Sequence, residues 1–432
     1  MTALPSFNEA LRVWARIGCL SFGGPAAQIA LMQREVVDQR HWVSDRRFLH
    51  ALNFCMLLPG PEAMQLATYL GWLMHGVKGG IAAGLLFVLP GAAVMLALSF
   101  IYAAFGDVPL IAALFFGLKC AVLILVVEAL IKVGKRALKG ALPWALAVTA
   151  FMALFVFGLP FPAVVLAAAA LGYAMPTAFV AGGHGKPREG GPAALDAALQ
   201  ADPRRIAAMA PLARRAGLVA LALWLWPVAL LMPVGGVFAD IAWFFSKMAV
   251  VTFGGAYAVL AYVAQEAVEN YGWLSAPEML AGLGLAETTP GPLILVLQFV
   301  GFLAGWRDSG ALGAVAGATL TLWVTFLPCF AWIFLGAPYV EKLHDVPRLR
   351  GALAGVTAAV VGVIANLAIW FGLRVIFERM DGILPVFASV QPAALLLSAL
   401  AGFCLFRLRL GVVQVLGVAA GAGLVLRLVG LG

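Results

Sequence analysis

The chain has 432 residues, of which 63% are hydrophobic and 11% charged, and its formal net charge is +8. A soluble domain is about 45–50% apolar and about 25% charged, so a water-soluble globule is excluded and the lipid bilayer is the solvent that suits this sequence. The basic balance does not point to nucleic acid, because Lys and Arg gather in short segments between apolar runs, as in cytoplasmic loops, rather than in a stripe interleaved with aromatics.

In chain order, Met1-Thr2-Ala3-Leu4-Pro5-Ser6 lacks a basic flank leading to an apolar run and a cleavage site, so no removable leader is expected. Direct insertion into a bacterial-type cytoplasmic (inner) membrane, as a multi-pass protein, is the expectation. The first apolar segment carries Arg16 and breaks at Ser21-Phe22-Gly23-Gly24-Pro25; a loop with Arg34, Arg40, Arg46 and Arg47 follows. Phe48 to His75 is then split by Pro59-Gly60-Pro61 into Phe48–Leu58 and Glu62–His75, each too short for the roughly 20 residues that a span needs. A re-entrant hairpin with its tip inside the membrane fits better. Candidate spans are Gly80–Ala104, Leu110–Ile131 with Lys119 and Glu128, and Phe151–Ala174 interrupted at Gly158-Leu159-Pro160. The segment Val180–Ala216 is polar and basic, and Gly217–Met232 is a further span. Lys247 precedes a second break at Thr252-Phe253-Gly254-Gly255, and the acidic loop Ala264–Glu278 leads to a second hairpin, Glu278–Trp306, broken at Pro290-Gly291-Pro292. Gly310–Leu335, Gly351–Phe371, Pro392–Phe406 and Gly411–Leu426 complete the spans.

Self-comparison shows a duplication. Ser21-Phe22-Gly23-Gly24, Trp42-Val43-Ser44 and Pro59-Gly60-Pro61 recur as Thr252-Phe253-Gly254-Gly255, Trp273-Leu274-Ser275 and Pro290-Gly291-Pro292, each 231 positions later. Asp107-Val108-Pro109 recurs as Asp345-Val346-Pro347 at 238 positions. Each matched loop changes sign: the arginines before the first hairpin face Glu266, Glu269 and Glu278 before the second, and Asp107 has no base nearby where Asp345 has Lys342, Arg348 and Arg350. The positive-inside rule then sets the two copies in opposite orientations, with Gly217–Met232 as the span that flips the second. The expected fold is an all-α integral membrane protein of two inverted-topology repeats with broken, re-entrant helices, an arrangement common among secondary transporters. Its parts are residues 1–179 as the first repeat, 180–216 as a cytoplasmic basic linker, and 217–432 as the flipping span and second repeat.

The motifs Phe22-Gly23-Gly24-Pro25, Leu52 through Ala63 around Pro59-Gly60-Pro61, and Gln65-Leu66-Ala67-Thr68-Tyr69 resemble the chromate ion transporter family. Phe253-Gly254-Gly255 with Thr288-Thr289-Pro290-Gly291-Pro292 is similar to the second domain of its long, two-domain members. The resemblance covers nearly the whole chain apart from the linker. It implies efflux of chromate, a chromate-resistance function, with sulfate or related oxyanions as competitors and an ion gradient as the driving force. A P-loop is absent from the sequence.

A tetrahedral dianion needs donors and positive potential, which helix N-termini supply through free N–H groups and about half a positive charge each. Pro61 and Pro292 read as first residues of half-helices, with Gly60 and Gly291 allowing close backbone approach. The bland alternative is that Pro-Gly-Pro turns a surface loop. The Phe-Gly-Gly motifs serve either binding, with Ser21 and Thr252 as hydroxyl donors, or helix packing alone. Gln28, Asn53, Gln65 and Thr68, with Gln298 and Thr289 as their parallels in the second half, are polar groups with apolar flanks that either face substrate or bond a neighbouring helix. Arg16 and Lys247 are repeat partners, and two cations facing a dianion form the sharpest constellation; Glu9 and Asp240, or snorkelling, are their alternatives. Glu62 in the first turn after Pro61 is a normal dipole partner whose protonation could also couple to transport. The expected partners are thus chromate or a similar oxyanion and the bilayer, with a homodimer left open and no nucleic acid. No cofactor or metal site is expected: the five cysteines show no paired spacing. Scattered histidines and the absence of a nucleophile–base motif argue against an intramembrane enzyme. An oxyanion channel or importer is the closer rival.

Overall fold

The structure is a computed structural model that describes residues 4–106, 108–179, 193–253, 256–342, 347–382 and 384–429. Gly254 and Gly255 of the second Phe-Gly-Gly motif, most of the basic linker's first half (180–192), and Asp107, Asp345 and Val346 lie outside the described residues.

The fold is helical from end to end, with one two-residue hairpin, β1 (Met380–Asp381) and β2 (Leu384–Pro385), among the described residues. In the first half, α1 (Phe7–Leu20) and α2 (Gly24–Gln33) flank the Phe-Gly-Gly break, and α2 runs on into a π turn, Arg34–Gln39. Then come α3 (Asp45–Cys55), α4 (Glu62–Phe105), α5 (Pro109–Ala137), α6 (Ala141–Phe155) and α7 (Phe161–Ala174). Between the halves stand α8 (Ala194–Ala201) and α9 (Arg205–Leu231). The second half repeats the order: α10 (Val237–Val251), α11 (Ala256–Gln265) with a π turn at Glu266–Asn270, α12 (Ala276–Thr288), α13 (Val296–Gly336), α14 (Pro347–Ile376), α15 (Pro392–Gly402) and α16 (Val412–Leu428). Five helical stretches are long and apolar enough to cross a membrane: Glu62–Phe105, Pro109–Ala137, Arg205–Leu231, Leu293–Val340 and Pro347–Ile376. Large apolar side chains such as Leu89, Trp226 and Leu396 stand exposed on their outer faces, as bilayer solvation requires.

The hairpins take their form from local chemistry. Ser44 caps α3, accepting from the Arg47 N–H at 3.3 Å, and its repeat partner Ser275 caps α12, accepting from Glu278 N–H at 3.4 Å. The Ser275 N–H in turn donates to the Glu278 carboxylate, closing a capping box. The 11 residues of α3 span only about 16 Å, half the hydrocarbon thickness. The arm of α4 that follows the Pro-Gly-Pro turn ends at His75-Gly76, where Gly76 takes φ 64° and ψ −156°; in α13 Gly310 takes φ 67° and ψ −150°. Only glycine adopts such a backbone without strain. Each long helix therefore folds back on itself, and the two arms touch through glycine: a Cβ on Gly71 or Gly305 would collide with the carbonyl of Gly79 or Gly313.

Repeat-related helices run antiparallel. Gly80 of α4 abuts Phe334 of α13, and Gly84 abuts Phe330, so one chain rises as the other descends. Likewise a Cβ on Gly134 of α5 would lie 3.7 Å from Val361 of α14, and one on Gly372 would lie 3.7 Å from Leu123. The halves also exchange partners: α5 packs on α15 and α16, whereas α14 packs on α6 and α7. Close approaches come in matched pairs. Gly117 lies on the Ala419 carbonyl as Gly355 lies on that of Ala168, and Gly423 lies on the Ala113 carbonyl as Gly172 lies on that of Gly351.

Three expectations change in detail. Pro61 is the N-cap of α4 rather than its first helical residue, and Pro292 caps a 3-10 turn, Leu293–Leu295, that precedes α13. The span expected to start at Gly217 begins at Arg205, since Pro211 within α9 does not break it, and the linker contains a helix of its own, α8. The expected span Phe151–Ala174 is two helices, because Gly158 takes a positive φ and Pro160 caps a new start.

The linker helix is not loose. Ala194 and Leu195 donate their N–H groups to the carbonyls of His41 and Trp42, and Arg47 pairs with Asp196 at 2.7 Å. Burial pushes the Asp196 carboxyl up, but hydrogen bonds from Arg47 and Ser44 outweigh it and hold the group below its ordinary range. Arg205, at the start of α9, donates to the Met74 carbonyl at 2.7 Å, and Arg214 bonds the Tyr339 hydroxyl. The base of the first hairpin and the far end of α13 thus both meet the Arg205 end of α9.

Candidate functional site

Two backbone bonds tie the halves together at the broken segments. Gly60 donates its N–H to the carbonyl of Thr252 at 3.0 Å, and Gly291 donates to that of Ser21 at 2.7 Å. Each Pro-Gly-Pro turn is thereby docked on the other half's Phe-Gly-Gly break, residue for repeat residue. Gly60 and Gly291 sit at φ 116° and 91°. A side chain on Gly60 would lie 2.9 Å from the Cys329 sulfur and from Gln65 Nε2, so these positions require glycine for both conformation and space. Gln65 pins its own turn, donating from Nε2 to the Pro59 carbonyl at 2.7 Å.

Between the two turns lies a narrow, partly open pocket with room for about one water molecule, so an oxyanion would enter only as the turns part. Its walls are the starts of two helical segments, Pro61-Glu62-Ala63 and Pro292-Leu293-Ile294, together with Gly60, Thr252, Pro25 and Gln28. The first N–H groups of a helix have no intrahelical acceptor, so both halves bring unpaired donors and the positive ends of helix dipoles to one place. Gln28 donates from Nε2 to the Gly291 carbonyl at 2.6 Å, which leaves the second amide N–H for a ligand. Its Oε1 is buried without a partner among the described residues. Glu62 is the acid in the wall. Leu293 takes its place in the other half.

Not every residue singled out from sequence is gathered there. Ser21 and Thr252 point their hydroxyls back to the carbonyls of Ile17 and Met248, so Thr252 contributes to the wall by position rather than as a free donor. Thr288 and Thr289 likewise bond Leu285 and Ala286. Asn53 and Phe22 are exposed, and Gly23 and Gly24 take positive φ at the break without lining the pocket. Phe253 is partly buried beside the core. Arg16 lies off the pocket, its side chain 57% exposed and its Nε 3.7 Å from Glu35, a fully buried acid that also holds Arg40 at 2.5 Å. Arg16 thus has a protein counter-charge one helix away, where the expectation was the substrate dianion, with Glu9 as the alternative. Lys247 is stacked over the rings of Phe244 and Tyr262 at 5.7 and 5.6 Å. Glu128 pairs with Lys132 at 2.7 Å rather than with Lys119.

Sequence reasoning missed two features. Leu293 and Ile294 line the pocket, and no side-chain motif points to them. Glu287, buried in α12 three residues before Pro290, accepts from the Tyr257 hydroxyl at 2.6 Å. An acid inside an apolar run was visible, but its repeat position is Met56, and a search for duplicated residues passes over it.

The family model described as chromate transporter matches the chain twice, over residues 9–173 and 239–424. A chromate transport protein of Pseudomonas aeruginosa is 35% identical over 369 residues, covering 84% of this chain and 80% of the relative. One from Cupriavidus metallidurans is 27% identical over 380 residues, 86% of this chain and 84% of that one. An uncharacterized transporter of Methanocaldococcus jannaschii is 24% identical over 373 residues, 86% of each. No solved structure matches the chain.

Proposed function

The chain belongs to the chromate transporter family, and on that premise we propose that it exports chromate, with sulfate and related oxyanions as competitors, from a bacterial-type cytoplasmic membrane. The observation that carries the reading is the convergence of two helical N-termini, one from each repeat, on a single pocket between docked Pro-Gly-Pro turns. Such a site attracts a dianion through N–H groups and dipoles without a fixed lysine or arginine in its wall, which lets the ion leave again.

The two repeats are read as inverted in the membrane. Support comes from the antiparallel packing of α4 on α13 and of α5 on α14, and from the sign change between matched loops. The two exchanged bundles then rock against each other about the pocket, α5 moving with α15 and α16 and α14 with α6 and α7, with 180–216 and the Arg34–Arg47 loop on the cytoplasmic face. Outward movement of an anion is downhill in an inside-negative potential, by about 2.3 kcal/mol per charge per 100 mV, so export draws on an ion gradient rather than ATP.

Everted vesicles test the function. Chromate uptake into them should be saturable, inhibited by sulfate, and abolished when the imposed ion gradient and potential are collapsed. Flux that does not saturate, or that runs only in right-side-out vesicles, contradicts saturable export.

A further inference from the structure

The Tyr257–Glu287 pair is built in one half only. In the first half the two positions are Ala26 and Met56, both apolar and both exposed. Glu287 is buried next to the C-terminus of α12, and Tyr257 stands near the start of α11, so their 2.6 Å bond bridges the segment after the Phe-Gly-Gly break and the segment before the Pro-Gly-Pro turn. That turn is the one whose Gly291 is held by Ser21 and Gln28 and whose Pro292 faces the pocket. Glu287 stands five residues before Pro292 of the pocket wall, so a charge placed or removed there acts on the segment that carries the docked turn.

The surroundings do not neutralise this acid by contact. Among the described residues no Lys, Arg or His lies within ion-pair distance of Glu287. The charged groups that feel it are Glu128 and Lys132 of α5, which pair with each other at 2.7 Å. Elsewhere around α12, Arg307 of α13 is committed to Glu278 at the opposite end, with Lys119 of α5 facing that same end. Arg374 of α14 holds Glu269, Arg427 stands in the last turn of α16, and Tyr102 of α4 packs on Phe115 and Phe299. Glu62 of α4 sits in the pocket wall. A carboxyl buried beside a hydroxyl and away from cations is suited to exchanging a proton rather than to anchoring structure.

We propose that Glu287, positioned by Tyr257, binds and releases a proton in step with the oxyanion. This rests on the reading of the pocket as the anion site. The sign follows from charge: an ionised Glu287 repels the dianion, so anion binding draws a proton in, and by reciprocity a proton bound at Glu287 strengthens anion binding. A proton leaving with each dianion makes the exported charge −1, still downhill in an inside-negative potential.

The test uses purified full-length protein in weakly buffered detergent solution, with sulfate as probe because it stays dianionic through the neutral range. Wild type should take up protons when sulfate is added, and above the midpoint its sulfate affinity should fall about tenfold per pH unit, as single-proton linkage requires. Glu287→Gln should bind sulfate with a flat pH profile and no proton uptake. Tyr257→Phe should keep the uptake at a displaced midpoint, and it carries the test if Glu287→Gln fails to fold. Proton uptake undiminished in Glu287→Gln, or lost only in Glu62→Gln, overturns the assignment. An unmoved midpoint in Tyr257→Phe removes that residue's part. Failure of wild type to bind sulfate or chromate overturns the anion-site reading itself, and this proposal with it.

Discussion

At the first Pro-Gly-Pro turn, Pro59, Gly60 and Pro61 are partly open, Glu62 stands in the pocket wall, and α4 starts at once. At the second, Pro290, Gly291 and Pro292 are buried, a 3-10 turn precedes α13, and the acid lies behind the turn at Glu287 instead of in front of it. The backbone bonds that dock each turn on the opposite half are nevertheless matched, Gly60 to Thr252 and Gly291 to Ser21. The scaffold has kept its duplication, while the ionisable chemistry has been divided between the copies. Symmetry therefore marks what holds the site together, and its loss marks what distinguishes the two roles.

The largest effect should come from attacking the shared feature. Gly60→Val and Gly291→Val each force a β-branched residue to positive φ, at roughly 1–3 kcal/mol of strain, and Gly60→Val also meets Cys329 and Gln65. Chromate flux should fall to background in both, with membrane insertion intact by fractionation. Retained flux in Gly291→Val alone would show that only the first turn matters.

Topology comes next. Single cysteines in 34–47 and in 264–278, introduced into a cysteine-free chain, should react with impermeant reagent from opposite sides. Reaction from one side breaks the inverted relation and leaves the antiparallel helices without a membrane meaning.

A smaller difference separates Arg16 from Lys247. Arg16→Gln leaves Glu35 its bond to Arg40, so anion affinity should change less than about threefold, within the range of exposed ion pairs. Lys247→Gln loses its ring contacts and should lower thermal stability without displacing the anion. A large loss of affinity in the double variant would return these cations to the site.

The smallest effect sharpens the comparison of the loops. Arg47 holds Asp196 ionised below the ordinary carboxylate range, so docking of α8 gains stability above that range and loses it as pH falls through the folded-state value. Proteolysis of the linker should accelerate in acid for wild type. Asp196→Asn should cut at one rate across that window.

Much of this was readable in the chain. The duplicated Trp-x-Ser and Pro-Gly-Pro motifs located both hairpins, and the two serines do cap α3 and α12. The exchange of α5 and α14 between halves was not, because the spacing between matched positions drifts from 231 at the turns to 251 between Ala168 and Ala419, and small-residue contacts look alike in any apolar helix. The partner of Arg16 was missed because the break at Gly23 folds α2 back toward α1, bringing Glu35 within reach. At the pocket itself the main-chain donors are legible only through the proline and glycine beside them, and Gln28 only as an amide with apolar flanks.

The central claim is that one oxyanion sits between the starts of α4 and of the Leu293–Leu295 turn. The direct measurement is anomalous scattering from chromium in crystals of the chromate-bound protein. A single peak within hydrogen-bond reach of the Glu62–Ala63 and Leu293–Ile294 N–H groups is the result predicted. A peak beside Arg16 and Lys247, with none between the turns, would contradict it.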